Sequence, residues 1–319
     1  MTDTSTPHTV KLGATDIMIS PVGIGTWAWG DRVLWGYRSD GFDDGDLREA
    51  FDIALDHNID LFDTAEVYGL GRSEELLGRF IAESGRRPCV ATKFLPLPWR
   101  WSAKALVRAL RDSLKRLGLD QVDLYQIHWP MPLMPIETLM EGMADAVEAG
   151  LTQAVGVSNF NVRQMERAQN ALTKRGLSLT SNQVHYSLLH RKPEIDGVLQ
   201  LCRDLNVTLI AYSPLEMGIL TGKYTPDNPP PRLRRFRYSR EFLAKAQPLV
   251  SRMREIGEAH DGGSSAQVAL NWLLSKGTVP IPGAKNARHA ASNAQAMTWR
   301  LTEEEVEELD TLSRPFAAP

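Results

Sequence analysis

The sequence predicts an α/β fold: one (β/α)8 TIM barrel over residues 1–319, with an N-terminal hairpin and two additional helices. Three observations predict it. A short apolar or β-branched run, a loop and a helical pattern recur in that order eight times. The alternation is strict, which favours a closed parallel barrel over a doubly wound open sheet, since open sheets seldom reach eight such units unbroken. Polar residues end several of the strand runs, where a barrel carries its active site.

Turn residues 13–16 separate two short runs, 9–12 and 17–20, and predict the hairpin. The barrel strands are expected at 22–25, 59–62, 89–92, 122–127, 154–157, 180–184, 208–212 and 278–281. Helices are expected at 46–57, 73–82, 103–116, 136–148, 162–172, 196–204, 240–260 and 287–296. The first of these sets Leu47, Ala50, Phe51, Ala54 and Leu55 at helical spacing. The additional helices are 265–274 and 301–312, the latter opening on Thr302-Glu303-Glu304-Glu305, a capping sequence. Residues 1–8 read as a flexible tail. Residues 225–238 hold four prolines and four arginines, a composition that resists helix and strand. They are expected to form a mobile loop on the active-site face, either a solvated insertion or a lid.

The net charge of −3 supplies no basic field for nucleic acid or an anionic membrane. Cys89 and Cys202 form neither a CxxC nor a Cys/His cluster, so no metal site or disulfide framework is indicated. Both lie in apolar runs and read as buried thiols, which fits a reducing cytoplasm. The polar N-terminus lacks the apolar core of a secretory signal, and no run approaches the ~20 apolar residues of a membrane helix. A cytoplasmic protein is expected.

The expected strand ends bring together Asp63, Tyr68 just beyond it, Lys93 and His128, then Ser158-Asn159, Asn182-Gln183 and Tyr212-Ser213. Singly, an Asp or Lys at a strand end is more often a solvated rim residue, and a lone His or Tyr more often structural. Their joint placement after consecutive strands is what favours a site. A lysine beside Tyr68 is expected to draw the phenol below its usual value near 10, making it a usable general acid. His128 could hydrogen-bond and orient the same substrate oxygen. No nucleophile elbow or Cys/His pair is present. Chemistry needing only an acid and polarising donors is hydride delivery from a nicotinamide to a carbonyl. Gly69-Leu70-Gly71 mimics a dinucleotide fingerprint, but Glu74 stands where the third glycine belongs; it reads as a turn before a helix capped by Ser73.

Asp63-Thr64-Ala65-Glu66-Val67-Tyr68-Gly69, Ala91-Thr92-Lys93 and Asp123-Leu124-Tyr125-Gln126-Ile127-His128-Trp129 resemble motifs of the aldo-keto reductase superfamily. So do Gly156-Val157-Ser158-Asn159-Phe160, Asn182-Gln183-Val184, Tyr212-Ser213-Pro214-Leu215 and Ile281-Pro282-Gly283-Ala284-Lys285. The motifs run in order from about Leu12 to Leu312, and the branch resembles the bacterial and plastid-type reductases related to potassium-channel β subunits. The resemblance implies Tyr68 as proton donor, Lys93 and Asp63 as its tuning pair, and His128 as the carbonyl-orienting residue. It implies Ser158, Asn159 and Gln183 on the nicotinamide carboxamide and Tyr212 stacked on its ring. Ser213, Leu215, Gly218 and Lys223 would follow the pyrophosphate, and Gly283, Lys285, His289 and Asn293 the adenosine end; Thr26, Trp27 and Asp63 join the cofactor set. No metal is implied. Lys285 and Arg288 supply positive charge for a 2′-phosphate, favouring NADPH. His289 and Ser292 depart from the family, which usually has Arg or Gln and often Glu there.

Tryptophans crowd the loops: Trp27, Trp29 and Trp35 after the first strand, Trp99 and Trp101 after the third, Trp129 after His128. Trp27, Trp29, Trp99 and Trp129 are expected to wall an apolar pocket for small aldehydes and ketones. Three readings compete: an NADPH-dependent carbonyl reductase, an NADP(H)-binding regulatory subunit with little turnover, and a metal-dependent hydrolase. The last lacks the necessary His and carboxylate ligands at strand ends.

Overall fold

A computed structural model describes residues 9–39, 41–100, 102–131 and 134–317; the expected tail 1–8 and Trp101 lie outside the described residues. Strands β1 (Val10–Lys11) and β2 (Met18–Ile19) pair antiparallel, Val10 opposite Ile19. Eight parallel strands follow in sequence order: β3 (Ile24–Gly25), β4 (Leu61–Asp63), β5 (Cys89–Phe94), β6 (Val122–Ile127), β7 (Thr152–Ser158), β8 (Ser181–His185), β9 (Thr208–Tyr212) and β10 (Val279–Ile281). A bridge between Gly25 and Gly283 joins the last strand region to the first, with Gly23 N donating to Pro280 O and Gly25 N to Pro282 O, both at 3.0 Å. At this seam a Cβ on Gly25 would lie 2.8 Å from the Ile281 carbonyl oxygen, so glycine permits the approach.

The helices are α1 (Asp44–Asp56), α2 (Arg72–Ser84), α3 (Ala103–Leu117), α4 (Ile136–Glu148), α5 (Val162–Thr173), α6 (Lys192–Ile195), α7 (Val198–Asp204), α8 (Arg240–Ala259), α9 (Ser265–Ser275), α10 (Ala287–Gln295) and α11 (Glu303–Ser313). Their buried faces pack on the strands in one large apolar cluster. A second, smaller cluster fills the barrel: Leu61, Ala91, Leu124, Ala154, Ile210, Val279 and Ile281 point inward, joined by Leu12 and Ile19 of the hairpin. The strand period of two makes this layer foretell the site. Two residues further along the same strands stand Asp63, Lys93, Gln126, Gly156 and Tyr212.

Three local expectations are corrected. Ser73 does not cap α2: the helix begins after Gly71, and the buried Ser73 hydroxyl donates to Thr26 O at 3.1 Å instead. The helix expected at 196–204 begins only at Val198, because Gly197, with a left-handed φ of 81°, separates it from the short α6 before it. Segment 225–238 contains a 3-10 turn, Arg232–Phe236, and buries Arg234 and Tyr238. The Thr302 cap of α11 forms a capping box with Glu305. Cys202 is buried but Cys89 only half-buried. Among the described residues no helix is long and apolar enough to cross a membrane.

Candidate active site

Asp63, Lys93 and Tyr68 meet at the upper end of the barrel. Lys93 Nζ donates to Asp63 Oδ2 at 2.5 Å, to Thr64 O at 2.8 Å and to the Tyr68 hydroxyl at 3.3 Å. Burial opposes the Lys93 charge, but Asp63 and Tyr68 outweigh it and hold the ammonium above its usual value. Asp63 Oδ1 accepts from Gln126 Nε2 at 3.2 Å and Gln183 Nε2 at 2.7 Å. A buried charge is tolerated only with such partners. Gln126 was not singled out by the sequence reading; its inward register between Leu124 and His128 is the signal that marks it.

Tyr68 stands beside Lys93, but its titration differs from expectation. Burial pushes the phenol above its usual value, and the lowering by Lys93 does not compensate, partly because Asp63 works against it. The hydroxyl therefore stays protonated at neutral pH. His128 packs edge-on to Tyr68, with centroids 5.7 Å apart. Burial and Lys93 lower its pKa to about 3, so the ring is neutral. Its Nδ1 is buried without a hydrogen-bond partner among the described residues. That leaves Nε2 as the nitrogen better able to carry a proton to a ligand.

One cavity of about 630 Å³ opens over these groups. It is lined by Asp63, Tyr68, His128, Trp27 and Trp129, then by Ser158, Asn159, Gln183 and Tyr212. It continues past Ser213, Leu215, Gly218 and Lys223 to Gly283, Lys285, His289 and Asn293. The Ser158 hydroxyl donates to Gln183 O at 2.8 Å, and Tyr212 Oη to Asn159 Oδ1 at 3.1 Å. Lys93 lies behind Asp63 and Tyr68, fully buried, rather than on the wall. His289 is lowered to about 4 by burial, Arg288, Lys223 and Lys285, and carries no charge at neutral pH.

One expected cofactor residue, Thr26, and two expected wall residues, Trp29 and Trp99, do not line the cavity. Thr26 is fully buried, its hydroxyl donating to Asp63 O at 2.9 Å. Trp29 is a core residue, 0% exposed, with Nε1 donating to Ala284 O. Trp99 is 74% exposed and away from the cavity. The loop sequence does not disclose which way a tryptophan turns.

Other wall residues went unnoticed, chiefly Val67, Met217, Arg234 and Arg237. Trp35, noted only as a loop tryptophan, lies between two cations: the Arg234 guanidinium is 4.9 Å from its ring centroid and Lys285 Nζ 4.7 Å. Trp35 Nε1 and Arg234 Nε are buried donors with no acceptor among the described residues. Two orphaned donors beside lysines suit an anionic ligand. Glu66 was also missed as an anchor. It binds Arg100 through both oxygens, at 2.9 and 2.8 Å, and accepts from Leu95 N, fixing the loop after β5 beside the site.

The sequence profile of the Aldo/keto reductase family matches residues 21–314. The chain is 42% identical to the chloroplastic pyridoxal reductase of Arabidopsis thaliana over 94% of its length and 84% of that protein. It is 33% identical to the aldo-keto reductase yakc [NADP(+)] of Schizosaccharomyces pombe, over 90% and 86% of the two chains. The solved glycerol dehydrogenase of Gluconobacter oxydans superposes with a TM-score of 0.85 at 30% identity, covering 98% of this chain and 97% of that one. With the motifs, the barrel and the profile in agreement, the chain belongs to the aldo/keto reductase family and is an oxidoreductase.

Proposed function

We propose that the protein reduces aldehydes and ketones to alcohols with NADPH, Tyr68 being the proton donor. The observation that carries this reading is the cavity itself, which runs unbroken from the Tyr68–Lys93–Asp63–His128 group to a cationic end at Lys223 and Lys285. The orphaned donors of Trp35 and Arg234 fit a dinucleotide's phosphates, and Lys285 on the wall favours a 2′-phosphate, with the exposed Arg288 adding charge beside His289. Ser158, Asn159, Gln183 and Tyr212 would hold a reduced nicotinamide, which when bound would supply the hydride for the carbonyl carbon. Tyr68 Oη gives its proton to the carbonyl oxygen, and the Lys93 ammonium 3.3 Å away stabilises the phenolate left behind. Asp63, held by two glutamine amides, fixes Lys93 in that position. Neutral His128 hydrogen-bonds the substrate oxygen and aims it. Trp27, Trp129 and Val67 present an apolar wall suited to aromatic or aliphatic carbonyl compounds.

A carbonyl panel run in parallel with NADPH and NADH tests the reading by loss of nicotinamide absorbance. Turnover with NADPH on aromatic or aliphatic aldehydes is expected, faster than with NADH. Tight NADPH binding without turnover on any member would favour the regulatory-subunit reading.

A further inference from the structure

Tyr212 does not stand alone at the cavity wall. Its ring is stacked on His185 (centroids 5.3 Å, planes 15° apart), and His185 on His190 (3.9 Å, 7°). The column is fastened by a buried carboxylate. Glu216, 4% exposed, accepts from His185 Nε2 at 2.7 Å, Tyr238 Oη at 2.9 Å and Ser187 Oγ at 3.2 Å. Burial pushes the Glu216 carboxyl up, but His185, Tyr238 and Arg237 outweigh it and keep it below its usual value.

Glu216 also sits in an unusual stretch of backbone. Ser213, Glu216 and Met217 have φ of 51°, 46° and 50°, the left-handed region that side-chain-bearing residues avoid, and Gly218 has 98°. Such a run persists only where surrounding contacts over-determine it. Glu216 supplies three of those contacts from the one side chain, while its neighbours Ser213, Leu215, Met217 and Gly218 line the cavity. Through Tyr238 the same carboxylate ties down the Pro/Arg segment, which carries Arg234 and Arg237 to the wall.

We propose that Glu216 and His185 are positioning residues for the cofactor: they hold the Tyr212 ring and the left-handed turn after β9 in the shape that receives the nicotinamide and the adjoining phosphates. This rests on the reading that this part of the cavity takes NADPH. Neither residue reaches the Tyr68 end, so the pair acts on cofactor affinity rather than on the proton donor.

The test uses the full-length protein and the variants Glu216→Ala, Glu216→Gln and Tyr238→Phe. NADPH Kd is read by nicotinamide fluorescence, KM with a small aromatic aldehyde, and Tm by circular dichroism. Glu216→Ala is expected to raise the NADPH Kd about tenfold with aldehyde KM changed less than about twofold, and Glu216→Gln, which keeps the side-chain length and can still accept from Tyr238, to restore most of it. A lowered Tm with unchanged NADPH Kd would assign Glu216 a stability role only and overturn the proposal. Should Glu216→Ala fail to fold, Tyr238→Phe decides: a rise of about threefold supports the proposal, and an unchanged Kd overturns it. Wild-type protein that binds neither NADPH nor NADH would instead overturn the proposed function itself.

Discussion

Tyr68 carries a conflict between burial and charge. Burial of the phenol among its neighbours favours its neutral form, while Lys93 favours the phenolate. A group that stays protonated at neutral pH but has an ammonium 3.3 Å from its oxygen is suited to give a proton and then bear the charge. The tryptophans make a plainer residue-scale point. Trp29 packs against Phe62 and Phe80 in the core, whereas Trp99 is mostly exposed. Trp29→Ala is expected to cost about 3–5 kcal/mol in urea unfolding, and Trp99→Ala about 0.5 kcal/mol or less. Both were read as pocket residues because a loop has no periodicity from which to infer direction. Asp63, Lys93 and His128 were legible because strands do. The Glu216–His185 pair was not, since its members lie on separate barrel units and meet only through the fold.

Elements were legible where the apolar pattern alone decided them. Strand β6 and helix α4 fall on their expected bounds, because a mostly apolar, β-branched-ended run between turn residues and a clear helical stripe leave no alternative register. The bounds of β3 and α7 shifted because barrel closure and the Gly197 turn set them, not local propensity. Segment 225–238 shows the same limit. Its composition forbids regular structure, yet Arg234 is buried over the rings of Trp35 and Tyr224, and donates to Met217 O at 3.3 Å. This segment therefore helps to build the cationic end of the cavity. Arg234→Ala is expected to weaken NADPH binding by about 1.5–3 kcal/mol, the worth of a charged hydrogen bond, as measured by fluorescence titration. An unchanged affinity would remove the segment from the cofactor site.

At the scale of the whole molecule, acid should loosen the fold through its half-buried histidines. His128 is lowered to about 3, and His190 and His289 to about 4, chiefly by burial. Each folded pKa lies below the usual unfolded value of about 6.5, so between these values the unfolded chain binds protons that the folded chain refuses. Stability is expected to be full above about pH 6.5 and to fall steadily toward pH 4, measured as the free energy of urea unfolding at several pH values. A flat profile over that range would mean these rings are charged in the folded state. The barrel also explains how function and stability are divided. Its inner apolar layer holds the strands together from below, and the next inward residues on the same strands form the polar group above. The proposed reaction rests on Tyr68, which joins that polar group from the turn after β4. Its most direct test is NADPH oxidation by an aromatic aldehyde, compared between wild type and Tyr68→Phe at equal cofactor occupancy. Measurable wild-type turnover is expected, with a loss of about 10²–10⁴-fold in the variant with NADPH still bound. A Tyr68→Phe variant that turns over at the wild-type rate would contradict it.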